Sequence, residues 1–457
     1  MAAQENVGAL HSELPLDLSA WLRDALLDAG IRALTVVQSR VLVPVLRGQD
    51  VCACAPTGSG KTLAYAVPLA QAHAPGDAPG VRVLVFLPTR ELAQQVSSAV
   101  LVAAAPAGVR CLLCAGGASL EAQEASLRGG DGVSPHWVIG TPGRLRDLAE
   151  RRLLQLQGLR SVVLDEADRL LDEGLVHDTS AVLRLCPAGV QTLMLSATWT
   201  SEVDKFAGAL AGSAHRVQVS APDGGAVGGS VTHLALLCPR DRVTHTLMDA
   251  HAAWAAPHGS ACLVFCATRA GAQALAAVLP PGPRHACLHG AMRQEDRDAA
   301  LAALRSGALD VLVATDVAAR GLDVPRVTLV VHADLPGDAD TYIHRAGRAG
   351  RPGSAAGGTS LVLYQPHQGT QLPELERSAA VMLQRITSLD DASAAAPRRT
   401  CAQHAQSVAL GERLLVTDRL SILNADLAEL GAVAARRNSR TRGPTTQQTR
   451  GARHVLK

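Results

Sequence analysis

Aromatic side chains are scarce in this chain of 457 residues, which holds three Phe, three Tyr and four Trp. That scarcity excludes the aromatic platforms on which single nucleic-acid strands stack their bases. Lysine is scarcer still, at positions 61, 205 and 457 only, so Arg carries nearly all the positive charge. A lysine kept at 61 marks a place that needs a compact point charge. No apolar run approaches the ~18 residues of a membrane span. The opening MAAQENVGALHSELPLD lacks the basic-then-apolar pattern of a secretory leader. Ten Cys without a paired framework exclude a disulfide scaffold and fit a reducing, intracellular compartment. A net charge of +2 excludes a purely electrostatic nucleic-acid coat.

What is present is a core-forming composition, 47% hydrophobic and 18% charged. At ~100–200 residues per domain, the length predicts two to four folding units. Short Val/Leu/Ile runs alternate with Ala-rich helical stretches. They predict strands at Val51–Ala55, Val81–Leu87, Arg110–Cys114, Trp137–Gly140, Ser161–Leu164 and Thr192–Leu195. A second series falls at Cys262–Cys266, His285–Leu288, Val311–Ala314, Thr328–His332 and Ser360–Tyr364. Runs apolar at successive positions fit strands buried on both faces, with helices as right-handed crossovers. The expectation is α/β: two parallel-sheet domains at 14–220 and 231–366 with a linker at 221–230. A small helical extension would follow at 367–435, including a helix over Pro373–Met382, and then a basic tail at 436–457. That tail carries +7 without an acid, on a body of −5, which suits a nucleic-acid anchor or a solvated end equally.

The chemistry-bearing residues begin at Ala55-Pro56-Thr57-Gly58-Ser59-Gly60-Lys61-Thr62, between a strand and a helix. Backbone N–H groups of such a turn cradle phosphate oxygens at a helix N-terminus. Lys61 would reach the β- and γ-phosphates and Thr62 would hold Mg²⁺; Ala55 stands where the common pattern has Gly. Asp165-Glu166-Ala167-Asp168 ends an apolar strand, where open α/β sheets bind ligands. Asp165 would hold Mg²⁺ through water, and Glu166 would activate the attacking water. The pair Cys111 and Cys114 has metal spacing but sits in an apolar strand, and is read as core.

With its neighbouring motifs, the Asp-Glu-Ala-Asp tetrad resembles the DEAD-box RNA helicases, in order from Leu14 to Tyr364. The resemblance implies a helicase core of two tandem RecA-like domains closing together on ATP and RNA. It assigns adenine reading to Gln38, with Trp21 as the associated aromatic, although Ile31 and Leu34 depart from the usual Phe and Pro. It assigns RNA contacts to Pro88, Thr89, Arg90, Gly117, Thr141, Pro142, Gly143 and Arg144 in the first domain. In the second, Thr268, Arg269, Gly290, Thr315 and Asp316 take that role. Arg348 and Arg351 become arginine fingers, and Asp323 joins the ribose or γ-phosphate network. Ser196, Thr198, Asp168 and His344 would couple nucleotide state to closure.

The stretch Leu372–Ile386 resembles the segment after the core of Gu-type nucleolar helicases and their plant organellar relatives. That favours ribosomal or organellar RNA, processed with ribonucleoprotein assembly partners inside the cell, in the nucleus or nucleolus, with an organelle or the cytoplasm left open. An ATP-gated RNA clamp with little unwinding stays open as the alternative. A DNA translocase is disfavoured by the tetrad and by Gln38.

Overall fold

The computed structural model describes residues 11–13, 18–73, 80–129, 134–211, 214–218, 231–316, 326–349 and 358–390. The expected linker and basic tail lie outside these residues, as do Asp323 and Arg351. In chain order, the first strands are β1 (His11–Glu13), β2 (Ala33–Leu34), β3 (Val51–Cys54), β4 (Val83–Phe86) and β5 (Cys111–Cys114). Then come β6 (Trp137–Gly140), β7 (Ser161–Asp165), β8 (Gln191–Ser196) and β9 (His215–Gln218). A second set follows with β10 (Val231–Leu237), β11 (Ala261–Cys266), β12 (His285–Leu288) and β13 (Val311–Thr315). It ends in β14 (Val327–His332), β15 (Gly358–Tyr364) and β16 (Gln384–Ile386).

Two seven-stranded parallel sheets result, ordered β5-β6-β4-β7-β8-β3-β9 and β12-β13-β11-β14-β15-β10-β16. Each is double-faced because successive residues of a buried strand point to opposite sides. Val83 and Val85 of β4 join one apolar layer, Leu84 and Phe86 the other. In the second domain Cys262 and Val264 face one layer while Leu263 and Phe265 face its opposite. Only a layer of helices on each face removes both sets from water, which is why the strands read as continuous apolar runs.

All eleven predicted strands are present, with ends displaced by only a few residues. The small antiparallel pair β1–β2 and the strands β9, β10 and β16 are not among the eleven. The expected extension after residue 366 starts with the helix Leu372–Ala379, then contributes β16, which pairs with β10 and continues the second sheet. Cys111 and Cys114 pack on opposite faces of the first sheet, so they cannot share a metal. Burial pushes both thiols up to about 12.

Candidate active site

The loop after β3 is shaped by two left-handed glycines, Gly58 at φ +81° and Gly60 at φ +90°. A Cβ on Gly60 would also come 2.4 Å from Gln38 Nε2, so the position excludes a side chain twice over. The helix Lys61–Ala72 starts here, which aims its unsatisfied first N–H groups at the loop. Ala55 N donates to Ser196 O at 3.0 Å, seating the loop against the end of β8. Lys61 Nζ donates to Ala55 O at 2.7 Å and Pro56 O at 3.0 Å. Burial lowers its pKa, while Asp165 and Glu166 work against that shift.

Gln38 belongs to a capping box that opens the helix Val36–Leu46. Its Oε1 accepts from Thr35 N at 2.9 Å, and its Nε2 donates to Gly60 O at 3.1 Å. Thr35 Oγ1 donates to Ser59 O at 2.9 Å. The helix start thus carries the expected adenine reader directly onto the phosphate loop. Trp21, on the helix Ala20–Asp28, packs against the first core layer.

Asp165 ends β7 at 4% exposure. Its Oδ1 accepts from Glu166 N at 2.9 Å, and its Oδ2 accepts from Tyr65 Oη at 3.1 Å. Burial raises the carboxyl to about 6, against the pull of Lys61 and with the repulsion of Glu166 added. Glu166 sits in the left-handed region at φ 52°, which for a residue with a Cβ stores strain of ~1–3 kcal/mol. Its Oε2 is buried without a hydrogen-bond partner among the described residues. A strained, under-satisfied carboxylate beside a phosphate loop is arranged for a ligand rather than for stability.

Asp168 joins the two domains. Its Oδ2 accepts from Thr198 Oγ1 at 2.7 Å and pairs with His344 Nε2 of the second domain at 2.8 Å. Burial works to raise this carboxyl, yet the His344 imidazole and the Thr198 hydroxyl outweigh it and hold it well below the usual range. Ser196 ends β8. Its hydroxyl is buried without a partner among the described residues, and its link to the phosphate loop is through the main chain.

His344 lies on the helix Ala339–Ala346, capped by Asp338 through Thr341 N at 2.6 Å. Just beyond, a Cβ on Gly347 would stand 3.3 Å from Thr57 Cβ, so this segment abuts the phosphate loop. Arg348 is buried, donates from Nε to His344 O at 3.1 Å, and has Glu166 as its electrostatic counterweight. Burial lowers the pKa of this guanidinium. Arg345 is committed elsewhere, in a fork onto Asp316 at 2.6 and 2.7 Å and 5.2 Å above the Phe265 ring. Asp316, expected to hold RNA, accepts from Arg345 at both carboxylate oxygens, which braces that helix.

The expected RNA residues line the ends of β5, β6, β4 and of β12, β13, β11, at matching places. Phe86 pairs in register with Gly140, and Phe265 with Ala314, so Thr141 and Thr315 are equivalent. Thr89 and Thr268 each cap a helix, accepting from Leu92 N at 3.3 Å and Gly271 N at 3.0 Å. Arg90 and Arg269 follow them. Arg90 donates to Gly116 O at 2.7 Å, and a Cβ on Gly117 would collide with it at 2.6 Å. Arg144 donates to Gln123 Oε1 at 2.8 Å, while Pro142 is buried and Gly143 is exposed. Pro88 is half-buried and Gly290 exposed. Across this face, Arg297 Nη2 pairs with the buried Glu91 Oε1 at 2.7 Å, joined by Gln294 Nε2 at 3.3 Å.

Sequence reasoning assigned no role to Tyr65, Glu91 or Arg345. Tyr65 carried one signal, a rare residue type one turn after Lys61. Among the described residues no group of three or more His, Cys, Asp or Glu is placed to hold a metal, and no helix is long and apolar enough to cross a membrane.

Residues 35–206 match the DEAD/DEAH box helicase family, and residues 244–353 match the helicase conserved C-terminal domain. The chain is 37% identical over 347 residues to ATP-dependent rRNA helicase rrp3 of Emericella nidulans, covering 75% of this chain and 72% of that protein. It is 35% identical over 383 residues to DEAD-box ATP-dependent RNA helicase 7 of Oryza sativa, spanning 81% of this chain but 53% of the rice protein. The chain thus spans little more than half the length of that relative. Among solved structures, S. cerevisiae Dbp5 bound to RNA and ADP BeF3 superimposes with a TM-score of 0.74 at 25% identity, covering 83% of this chain and 96% of that one. The two sheets are therefore tandem RecA-like domains, and the chain belongs to the DEAD-box helicase family.

Proposed function

We propose that this chain is an RNA-dependent ATPase that uses hydrolysis to unwind short RNA duplexes or remodel ribonucleoprotein. The observation that carries this reading is Asp168, whose one oxygen serves Thr198 of the first domain and His344 of the second. In this reading the contact forms when the two domains are closed. Closure also sets Arg348 beside Glu166 and Gly347 against Thr57. Hydrolysis then depends on whatever favours closure, which is the thermodynamic basis of coupling between two ligands.

In this reading the loop 55–62 binds the ATP phosphates and Lys61 neutralises the β- and γ-oxygens. Gln38 and Trp21 serve the adenine end. Glu166 accepts a proton from the attacking water as its oxygen bonds to the γ-phosphorus and the β–γ bridge breaks. Arg348 stabilises the charge on the transferring group; Arg351 and Asp323 are assigned to the same pocket. Thr62 and Asp165 would hold Mg²⁺. Their hydroxyl and carboxylate are hard oxygen donors too few to enclose the ion, which fits a cation that keeps waters and phosphate oxygens. When bound, it neutralises charge on the phosphate oxygens.

RNA is held along the repeated set Thr89/Thr268, Arg90/Arg269, Thr141/Thr315 and Gly117/Gly290. Hydroxyls, guanidinium groups and exposed backbone suit phosphate and sugar contacts, which carry no sequence information. The work belongs inside the cell, on ribosomal or organellar RNA with ribonucleoprotein partners, a reading supported by the rRNA helicase among its relatives. The test is steady-state ATP hydrolysis with and without generic single-stranded RNA at fixed salt. Strong stimulation is expected from RNA and little from single-stranded DNA. Equal stimulation by DNA overturns the RNA reading. Long retention of RNA with ATP and no strand separation turns it into a clamp.

A further inference from the structure

Tyr65 lies one turn into the helix that begins at Lys61 and is wholly buried. Its hydroxyl donates to Asp165 Oδ2 at 3.1 Å and shares a side-chain hydrogen bond with Thr62. The other oxygen of Asp165 is already taken by Glu166 N at 2.9 Å. A phenyl ring would fill the same space without a phenolic oxygen to desolvate, so packing does not call for the hydroxyl.

We propose that Tyr65 is a positioning residue for the divalent-cation site, its hydroxyl tying Thr62 to Asp165 and holding the two oxygen donors at one spacing. With one oxygen bound to the main chain and the other to the phenol, the Asp165 carboxylate cannot swing. Its orientation is set before nucleotide and cation arrive, so less reorganisation opposes their binding. This inference rests on the roles proposed above for Thr62 and Asp165.

The experiment measures the affinity of the full chain for a fluorescent, non-hydrolysable ATP analogue, titrated with Mg²⁺ and separately in EDTA. It compares the unaltered protein with Tyr65→Phe and Asp165→Asn. Tyr65→Phe is expected to bind the analogue normally in EDTA, while the Mg²⁺ concentration giving half the full effect rises by about tenfold, the lower end of what losing a ligand's partner costs. Asp165→Asn is expected to lose the Mg²⁺ effect. An unchanged Mg²⁺ midpoint in Tyr65→Phe, with the effect lost in Asp165→Asn, overturns the inference alone. An equal loss in EDTA and in Mg²⁺ makes Tyr65 a packing residue and overturns it too. If Asp165→Asn keeps the full Mg²⁺ effect, the metal-ligand reading falls and the inference with it.

Discussion

Counted from β3 and from β10, the two sheets have one strand order: third, fourth, second, fifth, sixth, first, seventh. The strand ends expected to hold RNA also match, at Thr89 and Thr268 or Thr141 and Thr315. The ends expected to hold nucleotide do not match. After β3 comes a glycine-rich turn ending in Lys61; after β10 comes Cys238-Pro239-Arg240-Asp241-Arg242, without a glycine. Phe86 pairs with Leu164 and Phe265 with His332, so Ala333 stands where the first domain has Asp165. Topology puts strand ends in the same places in both domains. The loops differ: the first domain carries the glycine-rich turn, and the second brings instead the helix with His344 and, just past its end, Arg348. In the proposed function, one scaffold thus serves as nucleotide holder and as its closing half.

The sharpest way to break this asymmetry is Arg348→Ala. If the second domain only completes the chemistry, turnover falls by roughly 10³–10⁵ while ATP affinity of the RNA-free protein stays near normal. Nucleotide titration beside single-turnover hydrolysis reads both. A parallel loss of affinity would make Arg348 part of the first domain's pocket.

Arg297→Ala tests the contact on the matched side. It leaves the buried Glu91 without its cation, a defect worth ~3–5 kcal/mol in a buried pair. The cost falls on closure, so the RNA concentration for half-maximal stimulation should rise by on the order of 10²-fold, with ATP binding unaffected. Unchanged RNA dependence would mean that this pair does not report on closure.

The smallest effect separates the domains by acid. Burial lowers His233 from 6.5 to about 4, and its Nδ1 lies 2.6 Å from Tyr342 Oη. A base with a depressed folded pKa lends its full stability above the unfolded value of 6.5 and loses it as pH falls towards 4. By pH 5 the loss is about 2 kcal/mol, because the unfolded state takes up the proton first. Thermal unfolding at pH 7.5 and 5, in the unaltered chain and in His233→Phe, should show a shallower pH dependence for the variant. Identical slopes would remove His233 from the acid response.

The doubly buried strands were legible because sheets covered on both faces need unbroken apolar runs, as in Val83–Phe86. Strand β10 was not, because Thr232 and His233 interrupt the apolar pattern, His233 meeting the buried Tyr342 hydroxyl, and β16 is only three residues long. At the site, the turn 55–62 and the tetrad were readable since their chemistry lies in neighbouring residues. The bond from Asp168 to His344 spans 176 positions and was expected only through resemblance. The clasp of Asp316 by Arg345 and the unpartnered hydroxyl of Ser196 among the described residues were likewise not legible in the sequence.

By itself the sequence determined what local chemistry can specify. It placed glycines where only a left-handed backbone makes the turn, threonines where a helix needs a cap, and apolar runs where a strand is covered twice. Only the tertiary structure decided which charges meet. Partners such as Tyr65 and Asp165, Glu91 and Arg297, or Arg345 and Asp316 come together when strands far apart in the chain end at one edge. No periodicity records such meetings, because their energy arises from burial and distance, which exist only once the two sheets have formed and closed.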